Sequence, residues 1–117
     1  MRRRVLIVDD DASLLALLAL HFEELGWEVR LARTCQEALA HAAPPLHLAL
    51  LDYQLPDGDG IQLLTHLRRG APDLPVVVMS AHSHAGVMAE ASARGAQHFL
   101  SKPFSPSELD AFAAVVP

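Results

Sequence analysis

Apolar and polar positions alternate in blocks along the chain. Five short apolar runs stand out: VLIV (5–8), EVRLA (28–32), LHLALL (46–51), PVVVM (75–79) and AQHFL (96–100). They are rich in Val, Leu and Ile and mostly lack an every-second-residue pattern. That composition suits strands buried on both faces, as in a parallel sheet.

The segments between these runs carry helix punctuation. Thr34 with Glu37 forms a T-x-x-E capping box, and Asp59 with Gln62 is a looser version. Ser105-Pro106-Ser107-Glu108 combines an N-cap serine, proline in the first turn and a glutamate three residues on. Gly26, Gly70 and Gly95 each follow a helical stretch and are expected just past a helix end. Arg68, Arg69 and Arg94 fall in last turns, where cations complement the helix dipole. The fourth helix is expected over 84–94, with Gly86 inside it and Ser80 to His84 before it reading as loop. The pattern is βαβαβαβαβα. Right-handed crossovers then place helices on both faces of a parallel sheet.

Composition narrows the class. The chain has 117 residues, about half of them apolar, which fits one domain spanning 1–117 with its own core. Net charge is −5, and basic residues cluster only at Arg2, Arg3 and Arg4, so direct nucleic-acid binding is not expected. Cys35 stands alone and fits a reducing compartment. The apolar run after the N-terminal arginines is too short for a signal peptide, and nothing approaches the roughly 20 apolar residues of a membrane span. A cytoplasmic protein is expected.

In a parallel α/β sheet, ligands sit beyond the carboxyl ends of the strands. The first strand runs into Asp9, Asp10 and Asp11, the third into Asp52, the fourth into Ser80 and the fifth into Ser101 and Lys102. Taken singly, each aspartate reads as a helix cap or the start of a turn. If the first and third strands are neighbours, three or four carboxylates converge within roughly 5 Å. Such a cluster repels itself and needs a counter-charge or a metal. All-oxygen ligands suit Mg²⁺, which keeps several waters and also binds phosphate. Lys102 is the only lysine in a chain with eight arginines. A compact ammonium on a narrow stem suits a crowded anionic pocket better than a planar guanidinium.

In order and spacing, VLIVDDD, LALLDYQLPDGDG, VVVMSAH and GAQHFLSKPF resemble the motifs of the response-regulator receiver domain of two-component signalling. The likeness covers nearly the whole chain. It implies a flavodoxin-like (βα)5 fold with strand order 2-1-3-4-5. It also implies that Asp52 is the phosphoacceptor, that Asp9 and Asp10 hold Mg²⁺ with Asp52, and that the backbone carbonyl of Gln54 completes the protein's share of the metal shell. Ser80 and Phe99 correspond to the switch pair, and Lys102 to the cation that contacts the phosphoryl group. Lys102-Pro103 matches a pair that is typically cis, and Asp11 matches an acidic position that is usually not a primary ligand. Ser80, Phe99 and Ala12 stand where many relatives carry Thr, Tyr and Pro.

The implied function is phosphoryl transfer from a histidine kinase or histidine phosphotransfer protein onto Asp52. The fourth helix, fifth strand and fifth helix would then change to control an output domain, a partner or a homodimer. This is a signalling domain that assists its own phosphorylation, not an enzyme acting on a metabolite. One alternative is a degenerate receiver, a phosphorylation-independent interaction module, which the intact set Asp9, Asp10, Asp52, Ser80 and Lys102 opposes. Another is a Mg²⁺-dependent hydrolase with an aspartyl-phosphate intermediate, which would carry a second aspartate where Gln54 stands. Flavodoxin itself is opposed by the aspartates after the first strand, which would repel a flavin phosphate.

Other residues take plainer readings. His82-x-His84 lacks a third ligand for a transition metal, and His82 corresponds to a position that influences dephosphorylation in the family. Cys35 is expected to pack at the start of the second helix. In the first helix Leu14, Leu17, Leu18, Phe22 and Leu25 are expected to form the buried face. Leu15 then falls off-centre, at a partly buried edge or on a kinase-docking face. Val115 and Val116 give the fifth helix an apolar end. Both a stand-alone receiver and one belonging to a longer regulator stay open, the latter favoured.

Overall fold

The computed structural model describes residues 2–81 and 85–113. His82, His84, Val115 and Val116, and the expectations attached to them, lie outside the described residues. Five strands, β1 (Arg4–Val8), β2 (Glu28–Ala32), β3 (Leu48–Asp52), β4 (Val76–Ser80) and β5 (His98–Ser101), form one sheet in the order β2-β1-β3-β4-β5. Every pairing in it is parallel. The connecting helices are α1 (Ala12–Glu24), α2 (Cys35–Ala40), α3 (Gly60–Gly70) and α4 (Ala85–Ala93), and a 3-10 turn over Pro106–Leu109 leads into α5 (Asp110–Ala113). A two-stranded antiparallel hairpin joins Gln54–Leu55 to Gly58–Asp59 between β3 and α3.

The unbroken apolar runs are central strands. β3 and β4 are buried along their whole length, and only Arg4 of β1 reaches the surface. Strand alternation splits the core into two layers. Val5, Ile7, Leu50 and Met79 pack with α1, Trp27 and Leu109 on one face. Leu6, Val8, Leu51 and Val78 pack with α2, α3 and α4 on the other. Because β1 and β3 are central neighbours, their carboxyl ends meet at one rim.

Two expectations are corrected. The buried stripe of α1 is Leu15, Leu18, Ala19 and Phe22, while Leu17 is 48% and Leu25 50% exposed. Leu15 is therefore core, 4% exposed, and not a docking residue. The stripe follows i, i+3, i+4, i+7, and its third member is an alanine, small enough to let α1 approach the sheet closely. Gly70 is the last residue of α3, and Ala71 caps the helix by donating its N–H to Leu67 O at 2.9 Å. Ala71 precedes Pro72, which disfavours helical backbone, so α3 stops there without a left-handed turn. Gly26 and Gly95 do adopt positive φ, at 90° and 100°. Among the described residues no helix is long and apolar enough to cross a membrane.

Candidate functional site

The sequence places Asp9, Asp52, Ser80 and Lys102 at strand ends, and the fold brings them to one rim. Asp52 and Ser80 are the last residues of β3 and β4, and both are buried. Asp9 follows β1 directly and is fully buried, whereas Asp10 beside it is exposed. The backbone holds each in place. Asp9 N–H donates to Ala32 O at 3.1 Å, Tyr53 N–H to Met79 O at 2.8 Å and Lys102 N–H to Ser80 O at 2.8 Å. The Lys102–Pro103 peptide is cis.

Asp9, Asp10 and Asp52 each offer a carboxylate oxygen, and these oxygens lie within 4.8 Å of one another. Lys102 reaches into the cluster, its Nζ lying 2.6 Å from Asp9 Oδ2 and 3.3 Å from Asp52 Oδ1. The other oxygen of Asp9 accepts the Asp11 N–H at 2.9 Å. Asp11 points its own carboxylate at the N–H groups of Ser13 and Leu14, at 2.9 and 3.2 Å, and so serves as the N-cap of α1. One ammonium faces three carboxylates. Three oxygen donors with an excess of negative charge suit a small hard cation, so the donor set fits Mg²⁺.

The crowding shows in the acid–base chemistry. Burial, and then the charge of Asp9, push the Asp52 carboxyl up to about 6 from an ordinary 3.8. Lys102 and a hydrogen bond from the Gln54 backbone N–H pull the other way without cancelling that rise. For Lys102, burial opposes the charge, but Asp9 and Asp52 outweigh it and hold the ammonium above its usual range.

Ser80 and Phe99 lie on the neighbouring strands β4 and β5. Ser80 pairs in register with Ser101, and Phe99 sits two residues earlier on β5, beside Val78. Phe99 is half-buried and lines a groove with Met88, Ala91 and Phe112 between α4 and the start of α5. The His98 and Phe112 rings stack there with centroids 4.4 Å apart.

Sequence reasoning missed two residues that support the site. Gly60 is one: a Cβ at this position would lie 2.3 Å from the backbone oxygen of Asp52. Its N–H also donates to Tyr53 O at 2.8 Å. Asp57 is the other: its two carboxylate oxygens accept the N–H groups of Cys35 and Gln36 at 2.7 and 3.0 Å. Those two bonds hold the Asp57 carboxyl below its usual range. The PDGDG stretch carries both residues, but neither contact is written in local spacing. Cys35 is half-buried against the core layer of α2 and α3, as a packing residue should be. Burial, then Asp57, push its thiol up to about 11, which keeps it a neutral thiol.

Known proteins resemble this arrangement throughout. The chain is 35% identical over 112 residues to the phosphate regulon transcriptional regulatory protein PhoB of Escherichia coli, covering 93% of this chain and 49% of PhoB. It is 41% identical over 108 residues to the KDP operon transcriptional regulatory protein KdpE of the same organism, covering 92% of this chain and 48% of KdpE. The chain thus spans about half the length of these curated relatives. Among solved structures, a CheY-like response regulator receiver domain protein from Methanospirillum hungatei superposes with a TM-score of 0.93. It is 30% identical, with 97% of this chain and 92% of that one covered. The sequence profile of the response regulator receiver domain matches residues 5–114, and the chain belongs to that family.

Proposed function

We propose that this receiver accepts a phosphoryl group on Asp52 from the phosphohistidine of a histidine kinase or histidine phosphotransfer protein. Asp9, Asp10, Asp52 and the Gln54 backbone carbonyl would hold Mg²⁺. The observation that carries this reading is the buried Asp52 carboxylate, set beside two further carboxylates and within 3.3 Å of the Lys102 ammonium.

The residues account for the chemistry. A carboxyl titrating near 6 is largely ionised at neutral pH and available as a nucleophile. One oxygen of Asp52 forms the new bond to phosphorus while the phosphorus–nitrogen bond of the donor breaks. The electron pair leaves on the imidazole, which takes up a proton. Bound metal supplies positive charge that screens the phosphoryl oxygens. Lys102 offers a second positive group that can turn from Asp9 and Asp52 toward the new phosphoryl group, which carries a charge of roughly −2. Ser80, at the end of the neighbouring strand, offers a hydroxyl donor.

The added charge biases a two-state element. Ser80 moves toward the phosphoryl group, Phe99 turns inward, and the face built from α4, β5 and α5 changes shape. In the cytoplasm, that face would control an output domain, a protein partner or a second copy of the chain. PhoB and KdpE are transcriptional regulatory proteins by name, so transcription is the output class this reading favours.

Incubation with acetyl phosphate and Mg²⁺ should add one phosphate, which borohydride trapping and mass spectrometry should locate on Asp52. Labelling that survives in Asp52→Asn, or that falls on a histidine, overturns the reading.

A further inference from the structure

The hairpin that follows Asp52 is too short to hold itself. Gln54 pairs with Asp59 and Leu55 with Gly58, and nothing longer backs them. Isolated two-stranded ribbons are marginal in water. One end of the hairpin, Gln54, begins two residues after Asp52. The tip is fastened elsewhere. Asp57 accepts the Cys35 N–H at 2.7 Å on one oxygen and the Gln36 N–H at 3.0 Å on the other. Below it, Cys35 Sγ donates to Asp59 O at 3.8 Å.

Helix α2 has a cap of its own. Thr34 Oγ1 accepts the Glu37 N–H at 3.0 Å, and Glu37 Oε1 accepts the Arg33 N–H at 3.2 Å. The capping box serves the third amide of α2 and leaves the first two, and a carboxylate more than twenty residues away in sequence takes both. Both bonds are charge-assisted, the stronger kind. They fix the tip of the hairpin against α2, while its other end, Gln54, lies two residues along the chain from Asp52.

Building on the Mg²⁺ reading above, we infer that Asp57 is a positioning residue of the metal site: by clamping the hairpin to α2 it holds Gln54 where its carbonyl can serve as a ligand. Outer contacts that orient metal ligands are commonly worth roughly tenfold or more in metal affinity. The clamp also makes α2 respond to the metal, since coupling between two sites runs both ways.

Thr34→Ala separates this role from simple helix capping. It removes a cap from the same end of α2 but leaves the Asp57 clamp and the hairpin untouched. Mg²⁺ affinity is measured by calorimetry, with thermal unfolding in parallel, on the wild type, Asp57→Ala, Asp57→Asn and Thr34→Ala. Asp57→Ala should weaken Mg²⁺ binding roughly tenfold. Asp57→Asn, which keeps one acceptor oxygen, should lie between it and the wild type. Thr34→Ala should unfold earlier and bind Mg²⁺ like the wild type. Adding Mg²⁺ should shift the Cys35 and Gln36 amide signals in NMR spectra of the wild type and not of Asp57→Ala. Wild-type affinity in Asp57→Ala overturns the inference, as does an equal loss in Thr34→Ala. If the wild type itself binds no Mg²⁺, the metal reading fails first and takes this inference with it.

Discussion

Lys102 and Asp9 meet at 2.6 Å, the cation half-buried and the carboxylate completely so, although 93 residues of chain separate them. Removing one partner of such a pair strands the other charge away from water. Lys102→Ala should therefore fold but lose stability in the absence of metal, by about 1–3 kcal/mol after allowance for the partial exposure of the lysine. Millimolar Mg²⁺ should restore much of that loss, because it supplies the missing counter-charge. Lys102→Arg should keep more stability yet accept phosphate from acetyl phosphate more slowly, since a planar fork does not fit where a point charge does. Urea titration with and without Mg²⁺, beside labelling rates, checks both. Wild-type labelling by Lys102→Arg would mean that the lone lysine has no special role.

Gly60 passes so close to the backbone of Asp52 that a methyl group cannot be placed between them. The conflict is with main chain and cannot be relieved by turning a side chain. Gly60→Ala should cost about 1–3 kcal/mol, the usual range for forced overpacking. It should also slow phosphorylation, because the residue displaced is Asp52, the proposed phosphoacceptor. Gly70→Ala is the control: nothing lies within 4 Å of a Cβ there, and the position is helical. Its stability should equal or exceed that of the wild type.

The raised Asp52 carboxyl sets a pH dependence. A carboxyl whose folded value lies above its unfolded one binds its proton more tightly in the fold. Its contribution is fully present below the unfolded value of 3.8 and is lost as pH rises through about 6. With chelator present, the wild type should lose stability across that window relative to Asp52→Asn. At pH 7 Asp52→Asn should be the more stable of the two, since it removes one buried like charge. Parallel stability curves for the two proteins between about pH 3 and pH 7, roughly one unit beyond each end of the shift, would remove burial as the source of the raised value.

Much of the site was legible because its parts lie where the apolar runs stop. Asp9, Asp52, Ser80 and Lys102 each follow an unbroken strand sequence, and a parallel sheet must bring those ends to one rim. The strand boundaries shifted slightly. Asp52 and Ser80 belong to β3 and β4, because a polar side chain at a strand end does not prevent its backbone from pairing. What the pattern did not carry was contact between segments distant in sequence. Asp57 in PDGDG looks like an ordinary turn residue until α2 is placed beside it, and the need for glycine at 60 comes from the Asp52 carbonyl. The face of α1 was misread for another reason. Leucines occupy positions 14, 15, 17, 18, 20 and 25, so almost any rotation of the helix buries several of them.

That ambiguity yields a direct test, because neighbouring leucines of α1 differ sharply in burial. Leu15 is 4% exposed and packs in the layer with Phe22 and Leu109, whereas Leu17 is 48% and Leu20 57% exposed. Truncating a buried leucine removes its transfer free energy and leaves a cavity, so Leu15→Ala should cost about 2–5 kcal/mol. Leu17→Ala and Leu20→Ala leave no cavity, and alanine is the better helix former, so each should change stability by less than about 0.5 kcal/mol. Urea titration of the three variants at one pH measures this. A large loss for Leu17→Ala with a small one for Leu15→Ala would mean that α1 is rotated about its axis from the arrangement described. The register of the whole α1 and α5 layer, including the anchoring of α5 through His21 Nε2 and Asp110 Oδ1 at 2.6 Å, would then have to be redrawn.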